Sequence, residues 1–305
     1  MTLRHFKIFV TVCDAMNMTL AAESLYMSQS AVSQAIAELE KYYDIRLFER
    51  LSRKLYLTQA GEKLLGYARH MIRMNADIEK DMKSIHETGL VRLGASVTVG
   101  ATLLPGLVSA FKRTNPSTNV EVFEDNTEQI QKRLLADKTD IGLVEGEITS
   151  PDILSTPFMD DELVLICGNH HWFAGLEAIN PHELEKESFI IREYGSGTRK
   201  TFEDVMRAHK LSWEVAWTCN NADTIKAAVI AGLGVSVISR RAVEKEAKSG
   251  ELIIKPVEGV RFLRTFKIAY HKNKYFTAQM KNFIDLCIRS AAKKQENTDG
   301  SHIRI

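Results

Sequence analysis

Short polar side chains crowd the start of one predicted helix, in the stretch SQSAVSQAIAELE. The chain places Ser28, Gln29, Ser30, Ser33 and Gln34 close together there. Such groups compete with a helix for its own backbone hydrogen bonds, so a purely structural helix gains little from them. A helix that must hydrogen-bond an external partner gains a good deal. We therefore predict that this polar face contacts a polar partner.

A second candidate site is the turn Tyr194–Arg199, YGSGTR, which separates a predicted strand from a predicted helix. Its two glycines allow close approach to the backbone, while Ser196 and Thr198 offer hydroxyls and Arg199 adds a fixed positive charge. A glycine-rich turn that opens a helix exposes N–H groups that bind anions. The turn is thus a predicted anion site, with an ordinary strand-to-helix connection as the alternative.

The bulk composition is that of an ordinary soluble protein. The 305 residues are 45% hydrophobic and 26% charged, with a net charge of +1, so a nucleic-acid contact would need a local basic cluster. The four cysteines are far apart, which excludes a zinc knuckle or a CxxC pair and favours reduced thiols in the cytoplasm. No signal peptide or membrane span is predicted.

Helical periodicity predicts three helices at the N-terminus. Leu3–Cys13 carry apolar residues at helical spacing, Thr19 is placed to cap a short helix Leu20–Leu25, and Ser28 is placed to cap a third helix. The apolar side of that third helix consists of Val32, Ile36 and Leu39. Helix, short helix, tight turn and helix form the helix-turn-helix plan.

A basic wing is predicted after the third helix. Ile45–Phe48 and Leu55–Leu57 are expected to be short strands, and their connection carries Arg50, Arg53 and Lys54. The segment from position 46 to 54 holds four basic residues against one acidic residue, a local charge of +3. Residues 1–58 are therefore predicted to form an N-terminal all-α winged helix-turn-helix.

A long helix is predicted from its cap Thr58 to about Glu87, with apolar residues that alternate steps of four and three. The seam residues are Leu64, Ala68, Met71, Asn75, Ile78, Met82 and Ile85. Such a heptad seam is typical of a two-stranded coiled coil, in which a polar residue selects the register. Residues 59–89 are predicted to be a dimerisation linker helix. A core helix packed on its own domain is the alternative.

After this helix the pattern changes to alternating strands and helices. The strands VRLGAS, NVEVFE and DIGLVEG alternate with helices, which indicates a mostly parallel sheet. A second set runs from ELVLICG to TFKIAYH, and two crossovers between the sets are expected near Asp160–Leu163 and Leu263–Ala269. Two such lobes form a hinged clamshell with a ligand crevice at the carboxyl ends of the strands.

The predicted effector domain covers residues 90–292 and has the α/β two-lobed plan of type 2 periplasmic binding proteins. Lobe I is assigned to about 90–161 and 267–292, and lobe II to about 162–266. The polar tail 293–305 is predicted to be disordered.

Together these segments resemble the LysR-type transcriptional regulators. Leu20-Ala21-Ala22 and Leu25, followed by SQSAVSQAIAELE, LFER and LTQAGE, match the order and spacing of that family's DNA-binding domain. DIGLVEG and AGLGVSVIS match its effector domain. The resemblance covers nearly the whole chain. It implies a cytoplasmic homodimer, often paired into a homotetramer, with double-stranded promoter DNA and RNA polymerase as partners.

The resemblance implies that the third helix enters the major groove. There Gln can pair bidentately with adenine, and Ser can contact a base edge or a phosphate. The wing would neutralise phosphates, with Arg53 best placed for the minor groove. The predicted DNA-binding residues are Thr19, Ser28, Gln29, Ser30, Ser33, Gln34, Arg50, Arg53 and Lys54. The alternative for the serines is helix capping and surface solubility.

The resemblance also implies a small-molecule effector in the cleft between the lobes. The predicted effector-binding residues are Ser96, Thr98, Val99, Glu145, Gly146, Ser196, Gly197, Thr198, Arg199 and Asn221. A buried carboxylate beside an anion would be costly. Glu145 therefore either pairs with a cation such as Arg199 or faces a ligand that also carries positive charge, as an amino acid does.

The combination of LVEG with GSGTR is most similar to the branch of the family that regulates sulfite reduction and cysteine biosynthesis. Sulfite, sulfate or another small anion is thus a candidate effector, with small carboxylates and amino acids as alternatives. A thiol redox switch at Cys219 is a further alternative, less favoured than a buried structural cysteine.

Other classes of protein are disfavoured by the motifs. No GxSxG, HExxH or P-loop motif supports an enzyme. No cofactor or metal is expected, because His170-His171 lacks a partner cluster and suits a surface loop. A periplasmic solute-binding protein would need an export signal and would not need residues 1–88.

Overall fold

The computed structural model describes residues 1–51, 54–83 and 89–299. The chain folds as two compact units, the first built mainly from the residues before Gly89. Arg53 and Ile85, two of the predicted site residues, lie outside the described residues.

The N-terminal unit contains four helices and a two-stranded wing. Its elements are α1 (Leu3–Ala15), α2 (Met18–Ser24), α3 (Gln29–Tyr43), β1 (Phe48–Leu51), β2 (Lys54–Leu57) and α4 (Gln59–Lys83). Ser28 caps α3, as predicted, and accepts a hydrogen bond from the N–H of Ala31 at 3.2 Å. The prediction for α2 was wrong, because Asn17 rather than Thr19 is the cap. The Asn17 side chain accepts from the N–H of Thr19 at 2.8 Å.

The core of this unit joins α1, α3 and the start of the wing. Val32, Ile36 and Leu39 are buried as the periodicity predicts. Phe9 of α1 meets Phe48 of β1 edge to face, with ring centroids 5.5 Å apart. Residues of α1 and α3 share this core, so that the opposite, polar face of α3 stays outside.

The first wing strand starts later than predicted, at Phe48 rather than Ile45. The N–H groups of Leu47 and Phe48 donate to the Glu40 carboxylate at 2.7 and 3.2 Å. Ile45 donates its N–H to the backbone carbonyl of Glu40 at 3.1 Å. The segment after α3 therefore wraps around the end of the helix, and its donors are already satisfied before the β-ladder begins.

Helix α4 serves two surfaces, which corrects part of the predicted seam. Thr58 caps it as predicted and accepts from the N–H of Gly61 at 3.0 Å. Ala68 is 0% exposed inside its own unit, and Leu64 packs against the same core. A fully buried Ala68 cannot pair with a second chain. The N-terminal half of α4 is therefore a core helix packed on its own domain, which was the alternative prediction. The exposed part of the seam consists of Met71, Ile78 and Met82.

The C-terminal unit carries the rest of the chain. Its first half comprises β3 (Leu90–Ser96), α5 (Val97–Thr102), α6 (Leu104–Thr114), β4 (Asn119–Asp125), α7 (Thr127–Leu135), β5 (Ile141–Glu145) and β6 (Ile153–Gly168). Its second half comprises β7 (Ser188–Arg192), α8 (Gly197–Ala208), β8 (Glu214–Cys219), α9 (Ala222–Ile230), β9 (Ser236–Ser239), α10 (Arg240–Ser249), β10 (Leu252–Lys255), β11 (Phe262–His271) and α11 (Ala278–Asp299).

The main sheet is mixed rather than mostly parallel. Its order is β10-β6-β11-β5-β3-β4, with β9 also paired to β6. β3 runs parallel to β4 and β5, whereas β6 and β11 are antiparallel to their neighbours. β7 and β8 form a separate parallel pair. The prediction missed this because short local segments show periodicity, whereas strand direction depends on which distant strands pair.

The strands β6 and β11 connect two hydrophobic cores. β6 supplies Met159 to the first core and Leu163 to the second, and β11 supplies Phe266 to the first and Phe262 to the second. The chain thus passes between cores near the two predicted crossovers. A register shift in the β6–β11 ladder falls between Phe266 and Lys267.

Four further elements differ from the predictions. The segment after β3 forms the short helix α5, which was not predicted because its β-branched and glycine residues are weak helix formers. The helix α10 and the strand β10 were also missed. Finally, α11 continues to Asp299, so the predicted tail is helical from Lys293 to that residue. No glycine or proline occurs between Ala278 and Gly300, so the sequence has no helix breaker there.

Candidate DNA-binding face and effector cleft

The polar face of α3 is pre-organised by hydrogen bonds along the helix. Gln29 Nε2 donates to Ser33 Oγ at 2.8 Å, and the hydroxyls of Ser28 and Ser30 lie 3.0 Å apart. These pairs hold the side chains on one exposed side, opposite the buried residues of α3. The first two turns of α3 therefore present hydroxyl and amide groups to the outside.

An acidic neighbour limits this face at its far end. Gln34 Nε2 donates to Glu38 Oε1 at 3.0 Å, and the second oxygen of Glu38 lies 2.8 Å from His5 Nε2. The hydrogen bond with His5 lowers the pKa of Glu38, so this carboxylate stays negative at neutral pH. A polyanion is therefore favoured near the N-terminal end of α3, where the helix dipole also attracts negative charge.

A concave surface of about 870 Å³ joins this face to the wing. Thr19, Gln29, Arg50 and Lys54, all predicted DNA-binding residues, line it together with Asn17 and Tyr56 among others. Arg50 lies on β1 and Lys54 on β2, the two paired strands of the wing. The structure thus brings hydrogen-bonding groups of two helices next to two cationic side chains.

Sequence reasoning missed Tyr26, which lies in the turn between α2 and α3. Its side chain is 98% exposed, and its backbone has the left-handed φ of 53° that bulky residues rarely adopt. The segment was assigned simply as a turn. The signal available in the sequence was an aromatic residue directly before the predicted recognition helix.

Glu145 lies at the centre of the candidate effector cleft. It ends β5, its side chain is about 1% exposed, and its Oε1 accepts hydrogen bonds from Thr98 at 3.2 Å and from Thr198 at 3.1 Å. Thr98 belongs to α5, which packs on the first core, and Thr198 belongs to α8, which packs on the second. One carboxylate oxygen therefore joins both lobes.

The cation that neutralises Glu145 is Arg264, not Arg199. Arg264, on β11, lies 3.3 Å from Glu145 Oε1 and donates to Asp161 Oδ2 at 2.8 Å. It also donates to Thr198 Oγ1 at 2.8 Å. Sequence reasoning missed Arg264 and Asp161 because each lies on a crossover strand, far along the chain from the motifs that suggested the cleft.

Asp161 is a second buried carboxylate of this network. Its Oδ1 accepts from Ser239 Oγ at 2.8 Å and lies 3.5 Å from Arg241 Nε. Burial raises the pKa of Asp161, while the Arg264 guanidinium acts in the opposite direction. Desolvation thus favours the neutral acid at Asp161, and the ion pair with Arg264 opposes this effect.

Arg199 and Asn221 each have local partners, and Arg199 also lines a cavity together with Ser196 and Gly197. Arg199 Nε donates to Glu203 at 2.7 Å, and its guanidinium lies 3.6 Å from the centre of the Tyr194 ring. Asn221 caps α9 by accepting from the N–H of Thr224 at 2.8 Å. Val99 is fully buried in the first core.

Three buried polar atoms beside this network have no hydrogen-bond partner in the part of the chain that the structure describes. They are Ser96 Oγ, Ser196 Oγ and Glu145 Oε2. Ser96 precedes α5 and Ser196 is the N-cap of α8, yet neither side chain caps its helix. Buried polar groups are nearly always paired in folded proteins, so this group marks a place that a polar ligand can satisfy.

Two glycines allow the lobes to meet at this point. A Cβ on Gly197 would lie 2.3 Å from the carbonyl oxygen of Glu145, and one on Gly146 would lie 3.0 Å from the Cα of Gly197. Gly146 also has a positive φ of 83°. A cavity of about 410 Å³ opens beside the junction, with Thr127, Ser196 and Gly197 in its lining.

The surroundings of the cysteines argue against a thiol redox switch. Burial raises the pKa of Cys13 and Cys287 to about 12 and that of Cys167 to about 11. Burial also raises the pKa of Cys219, next to the turn that follows β8. All four are free and buried, and a thiol with a raised pKa is a poor nucleophile at neutral pH.

Comparisons with known proteins agree with this division. Residues 3–62 match the sequence model of the bacterial regulatory helix-turn-helix proteins of the lysR family, and residues 85–292 match that of the LysR substrate binding domain. The chain belongs to the LysR family of transcriptional regulators. It is accordingly a DNA-binding regulator with an effector-binding domain, and it is not an enzyme.

Individual relatives match over nearly their full length. YeiE of Escherichia coli, an HTH-type transcriptional regulator, is 31% identical over 94% of this chain and 97% of its own. CysL of Bacillus subtilis is 32% identical over 87% of this chain and 88% of its own. The CcmR regulatory domain of Synechocystis, solved in complex with 2-PG, is 28% identical with a TM-score of 0.62, and covers 67% of this chain and 97% of that domain.

These findings confirm the predicted family and the two-domain architecture. In the part of the chain that the structure describes, no helix is long and apolar enough to cross a membrane.

Proposed function

We propose that this regulator reads promoter DNA with α3 and the wing. A small effector, whose anionic group is held between the two lobes, would control that binding. The proposal is carried by three buried atoms, Ser96 Oγ, Ser196 Oγ and Glu145 Oε2, which have no hydrogen-bond partner among the described residues. They adjoin the point where a threonine from each lobe donates to the other oxygen of Glu145. The effector's acidic group would accept hydrogen bonds from the two serines and from the open N–H groups at the start of α8.

On the DNA, Gln29 and Ser33 would contact base edges, while Ser28, Ser30, Gln34 and Thr19 would complete the polar face. Arg50 and Lys54, with Arg53 between them in the sequence, would neutralise phosphates. Two copies, joined through the exposed residues Met71, Ile78 and Met82 of α4 and the half-buried Asn75 between them, would read two half-sites. Pairing of dimers into a tetramer, and contact with RNA polymerase, belong to the same proposal.

The effector would act through the relative position of the lobes. Ser96 precedes the helix α5 on the first core, whereas Ser196 precedes α8 on the second. A ligand that contacts both serines binds the closed arrangement more tightly than an open one, and only this difference in affinity can shift the equilibrium. Closure would then change how the subunits pack on the DNA.

The similarity to CysL makes sulfur and cysteine metabolism the first candidate for the controlled pathway, with sulfite and sulfate as candidate anions. A small organic acid is the second candidate effector, because the CcmR regulatory domain was solved with 2-PG.

The test measures the affinity of the full-length protein for promoter DNA by fluorescence anisotropy, with and without each candidate effector. The effector should change the affinity or the footprint for the specific site, and Ser196→Ala should abolish this response while leaving effector-free DNA binding unchanged. Arg207→Ala, an exposed change at the other end of the same helix, is the matched control. A response that survives Ser196→Ala would place the effector elsewhere.

A further inference from the structure

We infer that the effector is a zwitterion, a small molecule that carries a cationic N–H donor next to its acidic group, as an α-amino acid does. This inference rests on the proposed effector cleft; among the candidate effectors it favours an amino acid over sulfite and sulfate. The observation behind it is the second oxygen of the Glu145 carboxylate, which is buried and has no partner among the described residues.

A carboxylate oxygen can only accept hydrogen bonds, so it can be satisfied only by a donor. The two serine hydroxyls can donate to an anionic group of the ligand, and neither forms a hydrogen bond with Glu145 Oε2 among the described residues. We therefore expect the ligand to bring a donor for Glu145 beside the anionic group that Ser96 and Ser196 would hold.

The charges around the cleft also favour a zwitterionic ligand. Arg264 is shared by Glu145 and Asp161, Arg199 is paired with Glu203 at 2.7 Å, and Arg192 is paired with Glu193 at 2.8 Å. Arg241 lies 3.5 Å from Asp161 and completes the neutralisation of the inner network. The guanidinium groups here are thus already matched by carboxylates.

A fully ionised dianion such as sulfate would place two negative charges beside Glu145 without a compensating cation. Such an arrangement is unfavourable in a buried site. A zwitterion brings no net charge, and its ammonium group can pair with Glu145 in the same low-dielectric surroundings in which Arg264 already does.

The experiment is isothermal titration of the full-length protein with matched pairs of ligands that differ only in the amino group. The pairs are L-serine and 3-hydroxypropionate, L-cysteine and 3-mercaptopropionate, and L-alanine and propionate, extended to the other common amino acids, with sodium sulfate and sodium sulfite alongside. At least one amino acid should bind, and its deaminated partner should bind roughly 10- to 100-fold more weakly, as expected for loss of a charged hydrogen bond.

Two variants locate the effect. Glu145→Gln should reduce the ratio of affinities within a pair severalfold, because the amide no longer offers a negative acceptor, and it should improve binding of sulfate. Ser96→Ala should weaken both members of a pair about equally. The matched pairs themselves need only the wild-type protein, so the test stands even if Glu145→Gln fails to fold.

The outcomes separate this inference from the proposed function. A deaminated acid or sulfate that binds as tightly as the amino acid, and is lost in Ser196→Ala, would overturn the zwitterion and keep the cleft. Binding that Ser196→Ala does not change would overturn the cleft itself. Failure of every ligand to bind a protein that still binds DNA would overturn the zwitterion class.

Discussion

Replacement of Arg264 by methionine tests whether the cleft network is an electrostatic unit. The guanidinium is about 2% exposed, and it lies 2.8 Å from Asp161 and 3.3 Å from Glu145. Methionine keeps much of the volume but leaves both carboxylates buried beside each other. Removal of one partner from a buried ion pair costs about 3–5 kcal/mol. For a unit of this size, that corresponds to a fall in Tm of roughly 10 °C.

The pH dependence of this effect follows from Asp161. Its pKa is already raised by burial, against the influence of Arg264. Without the guanidinium the folded-state pKa rises further above the unfolded value, so the folded form of the variant takes up a proton more readily. The penalty is therefore fully present above the folded pKa and is relieved as the pH falls through it. The difference in Tm between variant and wild type should shrink as the pH is lowered from neutral to acidic values.

The measurement is thermal unfolding of the full-length protein, followed by circular dichroism over this pH range. Arg261→Met is the matched control, because that side chain is 71% exposed and lies 3.6 Å from Glu162. Such exposed pairs contribute less than about 1 kcal/mol. A loss for Arg264→Met no larger than for this control, or a loss independent of pH, would refute the electrostatic account.

Three other predictions concern the DNA-binding half. Gln29→Ala should weaken specific DNA binding by about 1–3 kcal/mol while sparing scrambled DNA, and equal losses on both, measured by anisotropy, would exclude base readout. Lys54→Ala should lower affinity for both DNAs and reduce the slope of log affinity against log salt by about 1; an unchanged slope would remove Lys54 from the phosphate contacts. Ile78→Asp should shift the protein toward monomer in sedimentation, whereas a dimer that persists unchanged would exclude α4 as the pairing surface.

The parts of the fold that the sequence predicted are those governed by local patterns. The polar start and apolar side of α3 are set by residues a few positions apart, so Ser28 and the buried Val32 were correctly assigned. Asn17 was missed because Thr19, two residues later, is also a capping residue type. The choice between them depends on the turn after α1, which ends at Met16 in a left-handed conformation.

The cleft was predictable only in outline, for a related reason. Thr98 and Thr198 follow recognisable strands, and the structure brings both to one oxygen of Glu145. The charge balance depends on Arg264, which is set beside Glu145 by the antiparallel pairing of β11 with β5 and β6. Periodicity does not reveal such a pairing, so the cation was assigned to the nearest arginine of the motif instead.

The last prediction tests whether closure of the lobes transmits the effector signal. Gly197→Ala places a methyl group 2.3 Å from the backbone oxygen of Glu145, a contact that neither chain segment can avoid without movement. The variant should keep the lobes apart at α8, so it should bind promoter DNA as the effector-free wild type does and give no response to effector. Gly175→Ala is the control, since no atom lies within 4 Å of its added Cβ. The readout is the DNA footprint with and without effector. A Gly197→Ala protein that still shifts its footprint would mean that the signal does not pass through the junction of Glu145 with α8.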